Sequence, residues 1–386
     1  MEQKKLGFGF MRLPLTDPKD QKSMDMEQVC RMVDLFLERG FTYFDTAYVY
    51  HDAQSEIALR EALVKRYPRD SFTIATKMPL FMLRSKEQQS SIFQEQLEKC
   101  GVDYFDYYLL HDINRMSYPI AKELDSFAFI AEQKQAGKIR NIGFSFHEDA
   151  NLLDEVLTAY PEMDFVQLQI NYLDWDNASI QSGKCYDVAV KHGKKVIVME
   201  PIKGGTLANV PEEAEKLLKD HHPELSTASW AIRFVASLDN VMTVLSGMSN
   251  MEQLEDNTGY MQDFIPFTQK EREIVKQTVS IINDSVAIPC TACRYCAPGC
   301  PKKIAIPEYF ALYNAHLQDA NRYGSSPQID YFASLAQEFG KPSDCIACRK
   351  CENICPQHLP IVDFLKDVEK ELESSLAMME ELMSGE

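Results

Sequence analysis

The sequence has no long hydrophobic run. The opening residues, MEQKKLGFGFMRLP, lack the apolar stretch of a secretory signal, and no later segment is long and apolar enough to cross a bilayer. Excess positive charge is also missing: 40 Lys and Arg stand against 58 Asp and Glu, a net charge of −18. That balance argues against nucleic acid or an anionic membrane as the main partner, and serves solubility equally well. With 45% hydrophobic residues over 386 positions, the chain has the makings of one large globular domain plus a small one. A cytoplasmic protein is expected.

Cysteine is abundant instead. Without a secretory signal, 11 cysteines point to metal ligation in a reducing compartment rather than to disulfides. Eight of them fall in two copies of one pattern: Cys290-x2-Cys293-x2-Cys296-x3-Cys300-Pro301 and Cys345-x2-Cys348-x2-Cys351-x3-Cys355-Pro356. The x2 spacing lets three thiolates converge on one face of a cube, and the last cysteine of such a run ligates the other cluster. One [4Fe–4S] cluster is therefore assigned to Cys290, Cys293, Cys296 and Cys355, the second to Cys345, Cys348, Cys351 and Cys300. Zinc, which takes four ligands usually as two Cys pairs, explains neither the third cysteine nor the Cys-Pro step. Cys30, Cys100 and Cys185 stand alone in helix-like contexts and are expected to be buried core thiols. Between the runs, 306–314 and 331–339 read as helices, which resembles the helical two-cluster ferredoxin domain found fused to oxidoreductases. After Ile361, the stripe Leu365, Val368, Leu372, Leu376 and Met379 reads as an amphipathic helix packed on the protein's own surface.

Over the first 265 residues, short β-rich runs alternate with helical patterns. Strands are predicted at 6–12, 42–46, 72–77, 104–111, 139–146, 165–171, 196–201 and 241–247, with helices between them at 26–39, 55–66, 86–100 and 226–236 among others. Eight such units imply an α/β fold, a (β/α)8 TIM barrel. The alternative is a doubly wound sheet, but no Gly-x-Gly-x-x-Gly follows the first strand. We expect a barrel over 1–265, a linker helix over 266–285, and a small, mainly helical ferredoxin-like domain with a C-terminal helix over 286–386.

In such a barrel, chemistry sits where strands end at the C-terminal face. Asp45 ends the second predicted strand in FDTAYVY, with Tyr50 on the following loop; Lys77 ends the third in TIATKMP; His111 ends the fourth in YYLLHDI. Singly each has an ordinary explanation, such as a salt bridge, a surface phenol or a satisfied histidine. Together they form a proton-transfer set. A free tyrosine, with a pKa near 10, is a poor acid–base group at neutral pH. A neighbouring ammonium is expected to lower it, with a carboxylate holding the lysine and the histidine orienting a substrate carbonyl.

The segments FDTAYVYHDAQSE, TKMP, LLHD, GKIRNIGFS, VMEPIKGG and SGMSNMEQLEDN stand in the order of the aldo-keto reductase family, which residues 5–265 resemble; the whole chain resembles the subfamily that carries a C-terminal two-[4Fe–4S] ferredoxin-type domain. The resemblance implies an oxidoreductase reducing a carbonyl compound with NAD(P)H, with Asp45, Tyr50, Lys77 and His111 catalytic. It implies Ser145 and Gln167 at the nicotinamide carboxamide and Ile202, Lys203 and Gly204 by the pyrophosphate. Gly247, Ser249, Gln253 and Asn257 would surround the adenosine, and Met11, Arg12 and Met199 complete the expected cofactor contacts.

Departures from the family pattern bear on the cofactor. Phe146 and His147 follow Ser145 where the family usually has Asn, Met199 replaces an aromatic platform, and Glu200 stands near a diphosphate it would repel. Met248, Ser249 and Gln253 offer no Lys or Arg to a 2′-phosphate, so NADH is as credible as NADPH. Nicotinamide gives two electrons at once whereas each cluster carries one, so a flavin also remains open. Three readings follow: a carbonyl reductase with clusters as relay, a ferredoxin-linked reductase that takes electrons from an external electron-transfer protein without nicotinamide, and clusters that only brace the barrel. The substrate is expected to be a small molecule. Phe10, Phe81 and Trp175 either line the mouth or pack the barrel.

Overall fold

The computed structural model describes residues 4–115, 117–176, 180–285, 287–323 and 328–376. Eight parallel strands close into a barrel in sequential order. They are β1 (Leu6–Gly9), β2 (Tyr43–Asp45), β3 (Thr73–Met78), β4 (Phe105–Ile113), β5 (Ile139–Phe146), β6 (Phe165–Gln169), β7 (Lys195–Met199) and β8 (Val241–Ser246). β1 pairs with both β2 and β8, which closes the ring. The strands are apolar on both faces because helices cover the outside while side chains fill the inside, as buried parallel strands require.

The covering helices follow from local signals. Met26–Glu38 starts where the Asp25 side chain accepts the Gln28 N–H, and turns Val29, Met32, Val33 and Phe36 inward at helical spacing. Lys86–Cys100 ends at Gly101, whose φ of 69° is the left-handed conformation that stops a helix at glycine. Thr227–Ala236 is capped by Ser226, which accepts the Ser229 N–H. Three expectations are corrected. The predicted helix 55–66 is α-helical over Ser55–Leu59 and continues as a π-turn over Arg60–Val64. The first strand stops at Gly9, leaving Met11 at the surface. Cys100 and Cys185 are buried, but Cys30 is only half-buried, on a helix flank.

Inside the barrel, Tyr43, Ala75, Leu109, Phe165, Ile197 and Leu245 form one packed layer. Gly143 leaves room for it: a Cβ there would stand 2.4 Å from the Phe165 carbonyl oxygen. Phe10 belongs to the packing rather than to the mouth, fully buried with its ring 5.0 Å from Phe8. Trp175 likewise packs on Phe234 at 5.7 Å.

The chain divides into two compact units, Met1–Ile202 with Leu218–Val275, and Lys203–Leu217 with Lys276–Glu386. The segment Lys203–Leu217, expected within the barrel, thus groups with the second unit. The core of that unit is built from Ile304, Ile306, Tyr309, Phe310, Phe332, Leu365, Val368 and Leu372 with the cysteines around it. Its helices include Ile306–Tyr323, Gln328–Glu338 and Ile361–Val368, so the predicted helix beginning at 306 runs longer than expected. Leu365, Val368 and Leu372 of the C-terminal stripe are buried in this core; Met379 lies outside the described residues.

Behind β3, the fully buried Glu56 accepts hydrogen bonds from Thr76 Oγ1 at 2.7 Å and Gln96 Nε2 at 2.8 Å, while its other oxygen has no partner. Burial outweighs both bonds and pushes its carboxyl from 4.5 up to about 7. A carboxyl that holds its proton more tightly when folded adds stability in full below 4.5, and that stability is lost as the pH rises through about 7. The stability of Glu56→Gln relative to wild type should therefore rise by about 3 kcal/mol across that window, as measured by denaturant unfolding at a series of pH values.

Candidate active site and cluster pockets

Side chains of a strand alternate faces, so residues two beyond the packed inner layer point into the barrel one layer nearer the C-terminal mouth. From Tyr43, Ala75, Leu109, Gly143, Phe165, Ile197 and Leu245 this step leads to Asp45, Lys77, His111, Ser145, Gln167, Met199 and Gly247. The strands thus deliver to one level three of the four expected catalytic residues and four of the expected cofactor contacts.

Lys77 is fully buried and gives hydrogen bonds to Asp45 Oδ1 at 2.6 Å and to the Thr46 carbonyl at 2.7 Å. Its Nζ also lies 4.8 Å from the centre of the Tyr50 ring. The His111 ring stands edge-on to Tyr50 at 6.0 Å. Burial pushes the Asp45 carboxyl up and the Lys77 ammonium down, and their contact with each other opposes both shifts. Burial, with Lys77 and His147 nearby, holds His111 well below the usual histidine value, so its ring is neutral at neutral pH.

Tyr50 does not sit on an open loop. It begins a short helical turn in which His51 and Asp52, both at φ 50°, adopt left-handed backbone. His51 pins the turn: its Nε2 accepts the Leu13 N–H at 3.2 Å and its Nδ1 donates to the Gln21 carbonyl at 2.9 Å. A second tie runs from Thr46 Oγ1 to Ser55 Oγ at 2.8 Å, and Ser55 donates to the Phe10 carbonyl at 3.0 Å. No hydrogen bond to the Tyr50 hydroxyl is found among the described residues. The expected lowering of its pKa is corrected. Burial pushes the phenol well above its ordinary value, and the carboxylates of Asp45, Glu200 and Asp112 push it further. Lys77 directs hydrogen bonds at Asp45 and Thr46 rather than at the phenol, which is therefore a neutral donor.

The expected cofactor contacts divide into two groups. Near the four expected catalytic residues, polar atoms are open: Gln167 Nε2 donates to Met199 Sδ at 3.4 Å, while Gln167 Oε1, His111 Nδ1, His147 Nδ1 and Asp112 Oδ1 are buried without partners among the described residues. Ser145 Oγ accepts the Asp112 N–H at 2.8 Å. Further out, groups satisfy one another. Ser249 Oγ donates to the Arg12 carbonyl at 2.9 Å, and Gln253 Oε1 accepts the Ser249 N–H at 2.7 Å. Asn257 donates to Ser246 Oγ at 3.0 Å and accepts from Tyr260 at 2.6 Å. Ile202 is half-buried at the end of the first unit. Gly204 has a left-handed φ of 64°, and Lys203 is buried in the second unit, donating to Gln357 Oε1 at 3.0 Å. Phe81 stands 49% exposed with its ring 6.2 Å from His111, the mouth aromatic among the three candidates. Asp112 and the Thr46 carbonyl escaped sequence reasoning; the first follows His111 inside a strand irregularity, and a main-chain acceptor leaves no signal in residue type.

In the second unit the eight cysteines of the two runs line two pockets. One is lined by Cys290, Cys293, Cys296 and Cys355 among apolar walls that include Ile306, Phe310, Leu359 and Ile361. The other is lined by Cys300, Cys345, Cys348 and Cys351. The fourth cysteine of each run thus lies with the first three of the other, as the crossed arrangement requires. Among the described residues, no three His, Cys, Asp or Glu side chains are grouped to hold a single metal ion. Four sulfurs spread around one pocket suit a multi-iron cube, so the residues fit the cluster.

Residues 5–280 match the aldo/keto reductase family, and residues 289–359 match a 4Fe-4S dicluster domain. An uncharacterized oxidoreductase of Schizosaccharomyces pombe is 28% identical over 66% of this chain and 80% of its own length. The NADH-specific methylglyoxal reductase of Escherichia coli is 25% identical over 60% of this chain and 82% of its own. Among solved structures, the holo form of an aldo-keto reductase from Bacillus halodurans superposes with a TM-score of 0.57 at 25% identity, covering 71% of this chain and 91% of that one.

The buried ion pair makes a prediction. Asp45→Asn leaves the Lys77 ammonium without its carboxylate and should cost about 3–5 kcal/mol in denaturant unfolding. Combining it with Lys77→Met should cost less than Asp45→Asn alone, because no buried charge is then left unpaired.

Proposed function

The chain belongs to the aldo/keto reductase family, with a 4Fe-4S dicluster domain following it in sequence, and from that premise we propose that it reduces a small carbonyl compound with NAD(P)H at Asp45, Tyr50, Lys77 and His111. The observation that carries this reading is the open Tyr50 hydroxyl beside the buried Lys77–Asp45 pair. Tyr50, neutral at working pH, donates a proton to the substrate oxygen as negative charge develops there. Lys77 stabilises the resulting phenolate, and Asp45 keeps the lysine charged and in place. Neutral His111 orients the carbonyl through a ring N–H. Bound dihydronicotinamide would supply the hydride. Gln167 Oε1, buried and without a partner, suits the carboxamide N–H, and Ser145 suits its oxygen. The name of the Escherichia coli relative supports NADH as a donor.

The two cysteine sets, crossed between runs, would hold two [4Fe–4S] clusters that pass one electron at a time. The domain division proposed is a barrel over 1–265, a linker helix over 266–285 and a cluster domain over 286–386, although Lys203–Leu217 groups with the second unit. A second reading, reduction by electrons from a carrier protein without nicotinamide, is favoured by one observation. The expected adenosine contacts Ser249, Gln253 and Asn257 are already paired within the protein, so a dinucleotide would have to displace those bonds.

Tyr50→Phe should lower carbonyl turnover by about 1,000-fold with the protein still folded, measured with methylglyoxal and NADH or NADPH under anaerobic conditions. Turnover within a few-fold of wild type would remove Tyr50 as the acid. Anaerobic titration with NADH and NADPH separates the readings: absence of binding by either leaves the electron-carrier route.

A further inference from the structure

Positive charge gathers at one of the two cysteine pockets. Against the overall net charge of −18, the pocket of Cys300, Cys345, Cys348 and Cys351 is lined by Lys302, Arg349 and Lys350 and by no carboxylate. Lys302, Lys303, Lys341, Arg349 and Lys350 are all exposed. The parallel bridge between Ile304 and Gly340, with the Gly340 N–H donating to the Lys303 carbonyl, brings the 302–303 and 341 cations side by side. Lys302 and Lys350 have no ion-pair partner among the described residues. Arg349 reaches Glu352 only at 3.6 Å with 66% of its side chain exposed, and the other Glu352 oxygen accepts the Val362 N–H at 2.9 Å. The other pocket differs: its one cation, Arg294, is paired with Glu308 at 2.6 Å.

Two further features sit within this ring of cations. Ile346, which lines the same pocket, is 59% exposed and places an apolar side chain among these cations. Cys348 is the one exposed cysteine of the two runs. A redox group held there would thus come near the surface beside an apolar side chain and three cations.

We propose that this face docks an acidic one-electron carrier protein, with Lys302, Arg349 and Lys350 steering it and Ile346 forming the dry contact over the electron path. The inference rests on the cluster reading above. The chemistry would be a single electron transfer: the carrier would lose one electron and a cluster held by Cys300, Cys345, Cys348 and Cys351 would gain it, with no bond made or broken. An acidic carrier is repelled by the rest of a chain of this charge, so attraction confined to one face fixes orientation as well as encounter rate. Two exposed and unpaired lysines are what such steering needs, whereas cations serving the fold would be drawn into ion pairs.

The test uses the full chain with clusters assembled anaerobically, and a plant-type [2Fe–2S] ferredoxin as the acidic probe. Absorbance and electron paramagnetic resonance first establish both clusters in the wild type and in the Lys302→Gln/Lys350→Gln variant; their absence from the wild type would overturn the cluster reading itself. With clusters present, binding of the ferredoxin should weaken at least tenfold in the variant and weaken with added salt in the wild type, while basic cytochrome c should not bind. Equal affinity in the two proteins, with only the cluster potential shifted, would assign the cations to offsetting cluster charge and overturn the proposal. So would absence of ferredoxin binding, or its displacement by duplex DNA or anionic vesicles at lower concentration.

Discussion

Closing eight parallel strands into a ring leaves each strand with one face turned into a space that only side chains can fill. The inner layer around Tyr43, Leu109 and Phe165 meets that requirement with apolar bulk. One step nearer the mouth the filling is polar, and this is where the physical cost concentrates. An ammonium at Lys77, with no exposed surface, is tolerable only with a carboxylate against it. The register of β2 against β3 brings Asp45 within reach, and the Thr46 carbonyl accepts a second hydrogen bond. The arrangement of the mouth depends on that pair.

Burial sets the protonation of the surrounding groups. Tyr50 is pushed up and His111 pushed down, so both are neutral near pH 7 and both can act as hydrogen-bond donors to one oxygen. This suits proton donation better than a preformed phenolate would. The polar atoms left open, on Gln167, His111, His147 and Asp112, cluster at the same end, while Ser249, Gln253 and Asn257 are satisfied locally. A site with unmet hydrogen bonds is ready for a ligand; a site whose groups bond one another must exchange partners first.

The second unit follows a different logic. Its apolar core is small, and the cysteines pack around it, so the pockets for the clusters are part of what the helices enclose. Three cations, Lys302, Arg349 and Lys350, gather at the pocket where Cys348 is exposed. The barrel organises chemistry by layers along strands, whereas this unit does so by the spacing of one residue type along loops.

The features legible in the sequence are those in which residue type and spacing already contain the geometry. Eight alternating strands and helices with no Gly-x-Gly-x-x-Gly after the first strand pointed to a barrel, and β5 and the helix ending at Cys100 fall where the pattern placed them. The cysteine runs are equally legible, because three thiols at x2 spacing must converge within a few residues. What the sequence left undetermined depends on neighbours distant along the chain. The direction of the Tyr50 shift follows from burial and from Glu200 and Asp112, which no local pattern announces. Lys203 read as a phosphate contact, and folding also gives it a hydrogen bond to Gln357, 154 residues away, which no local pattern announces. Cys30 looked like a core thiol but lies at the edge of its helix's buried face. Electrostatics and pairing are sums over everything that folding brings close, and only the tertiary structure fixes those sums.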